Sequence, residues 1–239
     1  MRADEPVVAV LPAGDGALAG DGTLPCGPFS PREHANLEGG LRMLVFRQTG
    51  LELGLAQQLC TFGQRDPCRD PEQAMPAALV APVVISVCYL ALLAPSHCSG
   101  QDSSQGNGKH GTSWRGWYDY LPWEDWRHGR PVCLTARIEP RLKAWAEQQP
   151  NGLAMHAAPD RHQRLRLLFG CDGGAWDEEK VLERYELLCE AGLAGDAAET
   201  LEPAAPMCLP RLRHALQGDQ TRVLASAIRE IRRALKVRP

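Results

Sequence analysis

No apolar run in this chain of 239 residues approaches the roughly 20 residues that a membrane-spanning helix requires. An export signal is missing too, since Met1 to Pro6 is acidic rather than basic and leads only into a short apolar run. Cysteine pairs are missing. The nine cysteines stand singly at 26, 60, 68, 88, 98, 133, 171, 189 and 208, with no CxxC and no cluster with histidine, which argues against a zinc site. Scattered, reduced thiols without an export signal give the cytoplasm as the expected location. One stretch lacks acidic residues altogether. Between Glu38 and Glu52 there is no Asp or Glu, so that segment offers no cluster of carboxylates for a hard cation.

Charge is present, but unevenly. Residues 209–239 carry eight basic side chains (Arg211, Arg213, Arg222, Arg229, Arg232, Arg233, Lys236 and Arg238) against Asp219 and Glu230, a net of +6. The remaining 18 basic and 27 acidic residues give −9. A basic terminus on an acidic body fits a nucleic-acid or acidic partner, or else a solvated helix face. Aromatics make up only 6% of the chain, yet Trp114, Trp117, Trp123 and Trp126 crowd into one segment with Tyr118 and Tyr120. That segment is either a stacking platform for a base or a packed flap, and the burial typical of Trp favours the flap. Trp123 and Trp126, three apart, are expected to share a helix face, and Arg115, Glu124, Asp125, Arg127 and Arg130 to form a mixed polar rim.

Local patterns give an order of elements. Val7 to Leu11 reads as a strand and 13–31 as a loop rich in Gly, Pro and Asp. Glu33 to Gln48 has the three-and-four spacing of a helix that Thr49-Gly50 ends. Leu59 to Phe62 leads into a polar loop, Gly63 to Pro82, before the β-branched strand Val83 to Leu93. Residues 96–113 read as a surface loop. Ile138 to Gln149 is helical, and Asp160 to Phe169 fits strand or helix. Asp177 to Ala191 is a helix with Asp177 as its cap and Gly192 after its last turn. An Ala/Pro-rich linker over 194–210 precedes a basic helix, Thr221 to Lys236, with Leu224, Ile228, Ile231 and Leu235 on one stripe. That stripe, left open, implies a homodimer through the C-terminal region.

The segment from Gly27 to Leu51 resembles a Nudix box. Leu24-Pro25-Cys26-Gly27 is similar to the loop that opens the box, Glu33 lies at the right distance from Gly27, and Thr49-Gly50-Leu51 matches the close two residues late. Met43-Leu44 stand at the Arg-Glu position of the signature and Arg47-Gln48 at its Glu-Glu position. Beyond the box, 58–63 with Asp66, 84–92, 117–126 and 176–188 resemble the Nudix-related regulators of NAD metabolism. In that family the Nudix-like domain senses ADP-ribose or a related nucleotide and a C-terminal winged helix binds DNA. The resemblance implies an α+β fold: a Nudix-like mixed sheet flanked by helices over residues 1–135, then a mainly helical region over 136–239. The last helix would be the first helix of a winged-helix unit whose recognition helices and wing this sequence does not contain.

The function that this resemblance implies is that of a catalytically degenerate sensor of an ADP-ribose-like nucleotide, acting in regulation of NAD metabolism. Its candidate ligand-binding residues are Gly27, Glu33, Glu38, Arg42, Arg47 and Phe62, with no catalytic residue and no metal. Arg42 and Arg47 lie near the expected diphosphate, where a guanidinium can grip two phosphate oxygens without metal. His34 reads as a solvent-facing residue rather than a general base. Arg229, Arg232, Arg233 and Lys236 are the candidate DNA contacts, although one basic helix reads few bases. The rival from another class is a Mg2+-dependent pyrophosphohydrolase drawing on Glu33, Glu38 and carboxylates outside the box such as Glu52 or Asp66. A third reading is a purely structural or dimerising relative.

Overall fold

A computed structural model describes residues 6–12, 22–65, 83–94, 111–148, 160–194, 216 and 219–236. Asp66, residues 13–21, most of the expected loops 63–82 and 96–113, and the expected linker from 195 onward lie outside the described residues.

The β-branched N-terminal run forms β1, Val7–Pro12. It pairs antiparallel on one side with β2, Gly22–Thr23, and on the other with the strand Ser113–Gly116 that opens the aromatic segment. A second, two-stranded sheet joins β3, Ala56–Arg65, to β4, Val83–Ala91. The Ser113–Gly116 strand is β5. The fold is α+β, with a helical C-terminal region. Within it the named strands pair antiparallel rather than as a mixed sheet. The parallel contacts among the described residues are isolated bridges, Gly22 to Leu216 and Arg127 to Gly129. β3 also runs on through Gly63 to Arg65, because its partner β4 continues to supply ladder groups opposite.

α1 spans Leu37–Thr49. It begins four residues after the expected Glu33 because Asn36, extended at φ −157° and ψ 172°, takes the cap: its side chain accepts from the Gly39 N–H at 2.7 Å. The helix ends as the sequence suggests, with Gly50 left-handed at φ 71° and its N–H donating to the Phe46 carbonyl.

From β5 onward the chain is mostly helical. α2, Trp117–Tyr120, runs into a single 3-10 turn, Pro122–Glu124. Trp126 lies beyond that turn, so Trp123 and Trp126 do not share a helix face. A π-helical stretch, Leu134–Ile138, feeds α3, Glu139–Glu147, where a plain α-helix from Ile138 was expected. The ambiguous segment is helical: α4, Arg161–Phe169, is capped by Asp160 and stopped by left-handed Gly170. α5 covers Val181–Glu190 and α6 covers Gln220–Lys236. Asp177 caps a turn that precedes α5 rather than the helix itself; its carboxylate accepts from the Glu179 N–H at 3.0 Å.

The core gathers Val10, Tyr120, Leu121, Trp123, Leu134, Ile138, Leu142, Leu165, Phe169, Val181, Leu187, Leu188, Leu224 and Ile228 into one cluster. It runs across position 135, joining the N-terminal sheet to the helices. Each fully buried Leu, Ile or Phe contributes about 1.5–3 kcal/mol relative to exposure. Trp123 is wholly buried, so the aromatic segment is a packed flap. α6 lies on α5 and buries Leu224 and Ile228 within the chain, while Leu235 at the far end stays 64% exposed. The apolar stripe expected to need a partner is thus largely covered by the chain itself. No described helix is long and apolar enough to cross a membrane.

By contrast, none of the described side chains of β3 and β4 is fully buried. A two-stranded hairpin alone is marginal in water. The hairpin leans on α6, where the Arg222 guanidinium sits 5.8 Å from the centre of the Phe62 ring.

Candidate functional site

The loop from Leu24 to Asn36, α1 and the turn after it form one loop–helix–loop unit. Its opening loop is held on the helix at two points. Gln48 donates from Nε2 to the Cys26 carbonyl at 2.8 Å. Gly27 lies so close to α1 that a Cβ there would come within 2.3 Å of the Leu44 Cδ1. The glycine at the mouth of the unit thus packs directly on Leu44, whose side chain must rotate to admit a Cβ.

Glu33 stands in the turn before α1 and is exposed. Its N–H and that of His34 both donate to the Ser30 carbonyl, at 3.1 and 2.9 Å. His34 is fixed rather than simply solvent-facing: Nδ1 accepts from the Ser30 N–H at 3.1 Å, and its ring lies 5.4 Å from that of Phe29.

Arg42 is the most heavily engaged of the expected ligand residues. It meets Glu38 one turn back, with Nη2 2.8 Å and Nε 3.1 Å from the same carboxylate oxygen. It also donates to the carbonyls of Leu53 and Gly54, the latter at 2.6 Å. Arg42 thus closes the turn that leaves α1, and Glu38 is its counter-ion. Glu38 therefore faces a guanidinium, while Glu33 lies off the helix and Glu52 is exposed in the following turn. Among the described residues no three His, Cys, Asp or Glu side chains gather as a metal site. The residues present do not fit a magnesium site of the Nudix kind, which needs several carboxylates on one helix face.

Arg47 differs from Arg42. It is exposed on the last turn of α1, and no hydrogen bond or ion pair of its side chain is seen among the described residues. Its guanidinium is available to an anion. Phe62 is half-buried in β3, with the Arg222 guanidinium of α6 over its ring.

Sequence reading missed the residue that ties this unit to the C-terminal helix. Gln220, the first residue of α6, accepts from the Leu24 N–H at 2.6 Å and donates from Nε2 to Thr23 Oγ1 at 2.8 Å. A lone Gln in an amphipathic helix carries no signal of such a role.

The basic residues of α6 also have identifiable partners. Arg232 reaches the Glu124 carboxylate at 2.7 Å and two backbone carbonyls, those of Glu178 and Glu124. Arg233 and Lys236 flank Glu179 at 3.5 and 3.3 Å. Arg229 is half-buried. Much of the +6 tail is thereby balanced within the fold. Glu124, expected at a polar rim, is instead 1% exposed. Burying a carboxylate is tolerable only with paired cations, and Arg184 and Arg232 supply them. Arg184 in turn lies over the Trp176 ring, 3.8 Å from its centre, and Trp176 packs at 4.7 Å on Trp126.

No protein-family model matches this chain, and no curated protein matches it.

Proposed function

We propose that the chain is a non-catalytic nucleotide sensor of the Nudix-like type, binding an ADP-ribose-like diphosphate at the loop–helix–loop unit and reporting it through α6. One observation carries the reading: the helix carboxylate Glu38 is neutralised by Arg42, while Arg47 on the same helix is left exposed and unpaired among the described residues. That arrangement favours an anion over a cation, because a guanidinium beside a carboxylate cancels the field a divalent metal needs. A diphosphate meeting Arg47 needs no metal to offset its charge.

Gln220 supplies the route of response. Its bonds to Thr23 and Leu24 mean that any ligand reshaping the opening loop also alters the anchorage of α6. A ligand that prefers one arrangement of that joint shifts its population. The regulatory output, in control of NAD metabolism, and any DNA contact belong to this proposal. The intramolecular pairing of Arg232, Arg233 and Lys236 implies that DNA binding would first require releasing them from Glu124 and Glu179.

Calorimetric titration of the full chain with ADP-ribose, with and without Mg2+, tests the reading when the recovered nucleotide is checked for cleavage. Metal-independent binding of intact nucleotide is the expected result. Magnesium-dependent cleavage would overturn it in favour of a pyrophosphohydrolase that uses carboxylates outside the box. Absence of heat and of cleavage would remove ADP-ribose as the ligand.

A further inference from the structure

β3 and β4 place Cys60 directly opposite Cys88 as register partners, immediately after an irregularity at Leu59 that breaks the ladder between Gln58 and Cys60. Opposed residues of an antiparallel pair have Cα atoms about 4.5–5.5 Å apart. A disulfide accepts about 4.4–6.8 Å. Both thiols are half-buried, within reach of small molecules, and close enough that the charge of Cys60 acts on Cys88. We propose that Cys60 and Cys88 are a dithiol modification site that closes to a cross-strand disulfide by exchange with a low-molecular-weight disulfide such as oxidised glutathione.

The order of attack follows from the surroundings. Burial, then the charge and hydrogen bond of Cys60, then the charge of Asp219 push the Cys88 thiol up to about 12. A thiol held protonated is a poor opening nucleophile. Cys60 therefore attacks first: its thiolate displaces one glutathione thiolate and forms a mixed disulfide. The Cys88 sulfur, on losing its proton, then attacks Cys60 Sγ and expels the second glutathione. Two protein thiols are oxidised, one glutathione disulfide is reduced to two thiols, and the two protons leave with them.

The site is placed to matter. Asp219, one residue before α6, is close enough to Cys88 to act on its charge, and Arg222 caps the Phe62 ring two residues from Cys60. A covalent tie at the irregularity fixes the hairpin register beneath the start of α6. The dithiol needs no nucleotide for any of this.

The test is a time course of the full reduced chain with oxidised glutathione, quenched by alkylation and mapped by peptide mass spectrometry. The expected result is a transient glutathione adduct on Cys60 followed by a peptide pair linked through Cys60 and Cys88, reversed by dithiothreitol. Cys88→Ser is expected to trap the adduct on Cys60, and Cys60→Ser to leave Cys88 alkylatable. The wild-type map decides even if a variant folds poorly. A lasting Cys60 adduct with Cys88 still free, linkage of either to another cysteine, or full alkylation of both would each overturn the proposal.

Discussion

Arg184 is forked onto the Glu124 carboxylate 60 residues away in the chain, Nε to Oε1 at 2.7 Å and Nη2 to Oε2 at 2.9 Å, with both side chains fully buried. Arg232 completes the group from α6. Replacing Glu124 by Ala strands the Arg184 guanidinium in the core and leaves Arg232 without its carboxylate. Breaking a buried pair this way costs about 3–5 kcal/mol. Urea midpoints are expected to fall accordingly for Glu124→Ala. The double change Glu124→Leu with Arg184→Met is expected to recover much of the loss, leaving Arg232 to turn outward. If Glu124→Ala melts with the wild type, the triad contributes nothing to the fold.

Arg42 and Arg47 separate structure from binding. Arg42→Ala removes the clasp on Leu53 and Gly54 and is expected to lose about 1–2 kcal/mol, with faster hydrogen exchange after α1. Arg42→Lys does not restore it, because an ammonium cannot fork between a carboxylate and two carbonyls. Arg47→Ala is expected to change stability by less than about 0.5 kcal/mol. It is also expected to weaken ADP-ribose binding about tenfold, the loss of roughly one charge-assisted contact. Equal affinities for Arg47→Ala and wild type would remove the proposed phosphate contact.

Two glycines rank by what their missing Cβ would strike. At Gly27 the obstacle is the tip of Leu44, which can rotate; at Gly174 it is the backbone carbonyl of Arg166, 2.1 Å from the added carbon. Overpacking costs about 1–3 kcal/mol. Gly174→Ala is expected at or above the top of that range and Gly27→Ala near the bottom, read as denaturation midpoints. A reversed order would contradict the packing described around α4.

Acid should loosen two surface links. The Arg127 hydrogen bond holds the Asp125 carboxyl below its ordinary value, and the Arg164 hydrogen bond does the same for Glu190. A lowered folded value stabilises above the unfolded pKa of about 4, and that contribution is lost as pH falls through the folded value. Both groups are partly exposed, so the effect is small. Stability is expected to drop below about pH 4, with Glu190→Gln showing a shallower fall.

Much of the element order was legible because its signals are local. The β-branched run at 83 gives β4, the Thr49-Gly50 pair ends α1, and the Leu224/Ile228 stripe gives α6. Ambiguity or a misplaced boundary arose where two local rules competed. Leu165, Leu167 and Phe169 alternate like a strand, yet Asp160 and Gly170 bracket a helix, and the caps prevail. Glu33 sits at the right spacing for a helical start, yet Asn36 takes the cap. The Glu38–Arg42 pairing was readable as an i,i+4 pair. The burial of Glu124 was not readable, because its partners lie 60 and 108 residues away and nothing local marks a charged residue for the interior.

The clasp of Gln220 on Leu24 has a consequence for how the chain comes off the ribosome. Its partners are 196 residues apart. Synthesis at about 5–20 residues per second leaves the Leu24 N–H waiting roughly 10–40 s for its acceptor. During that interval the opening loop and α1 can form only provisionally, and α2 through α5 are made before the first-born segment is finished. The molecule therefore fastens its opening loop last, and a nascent chain stalled in the 195–215 region would present that loop without its clasp.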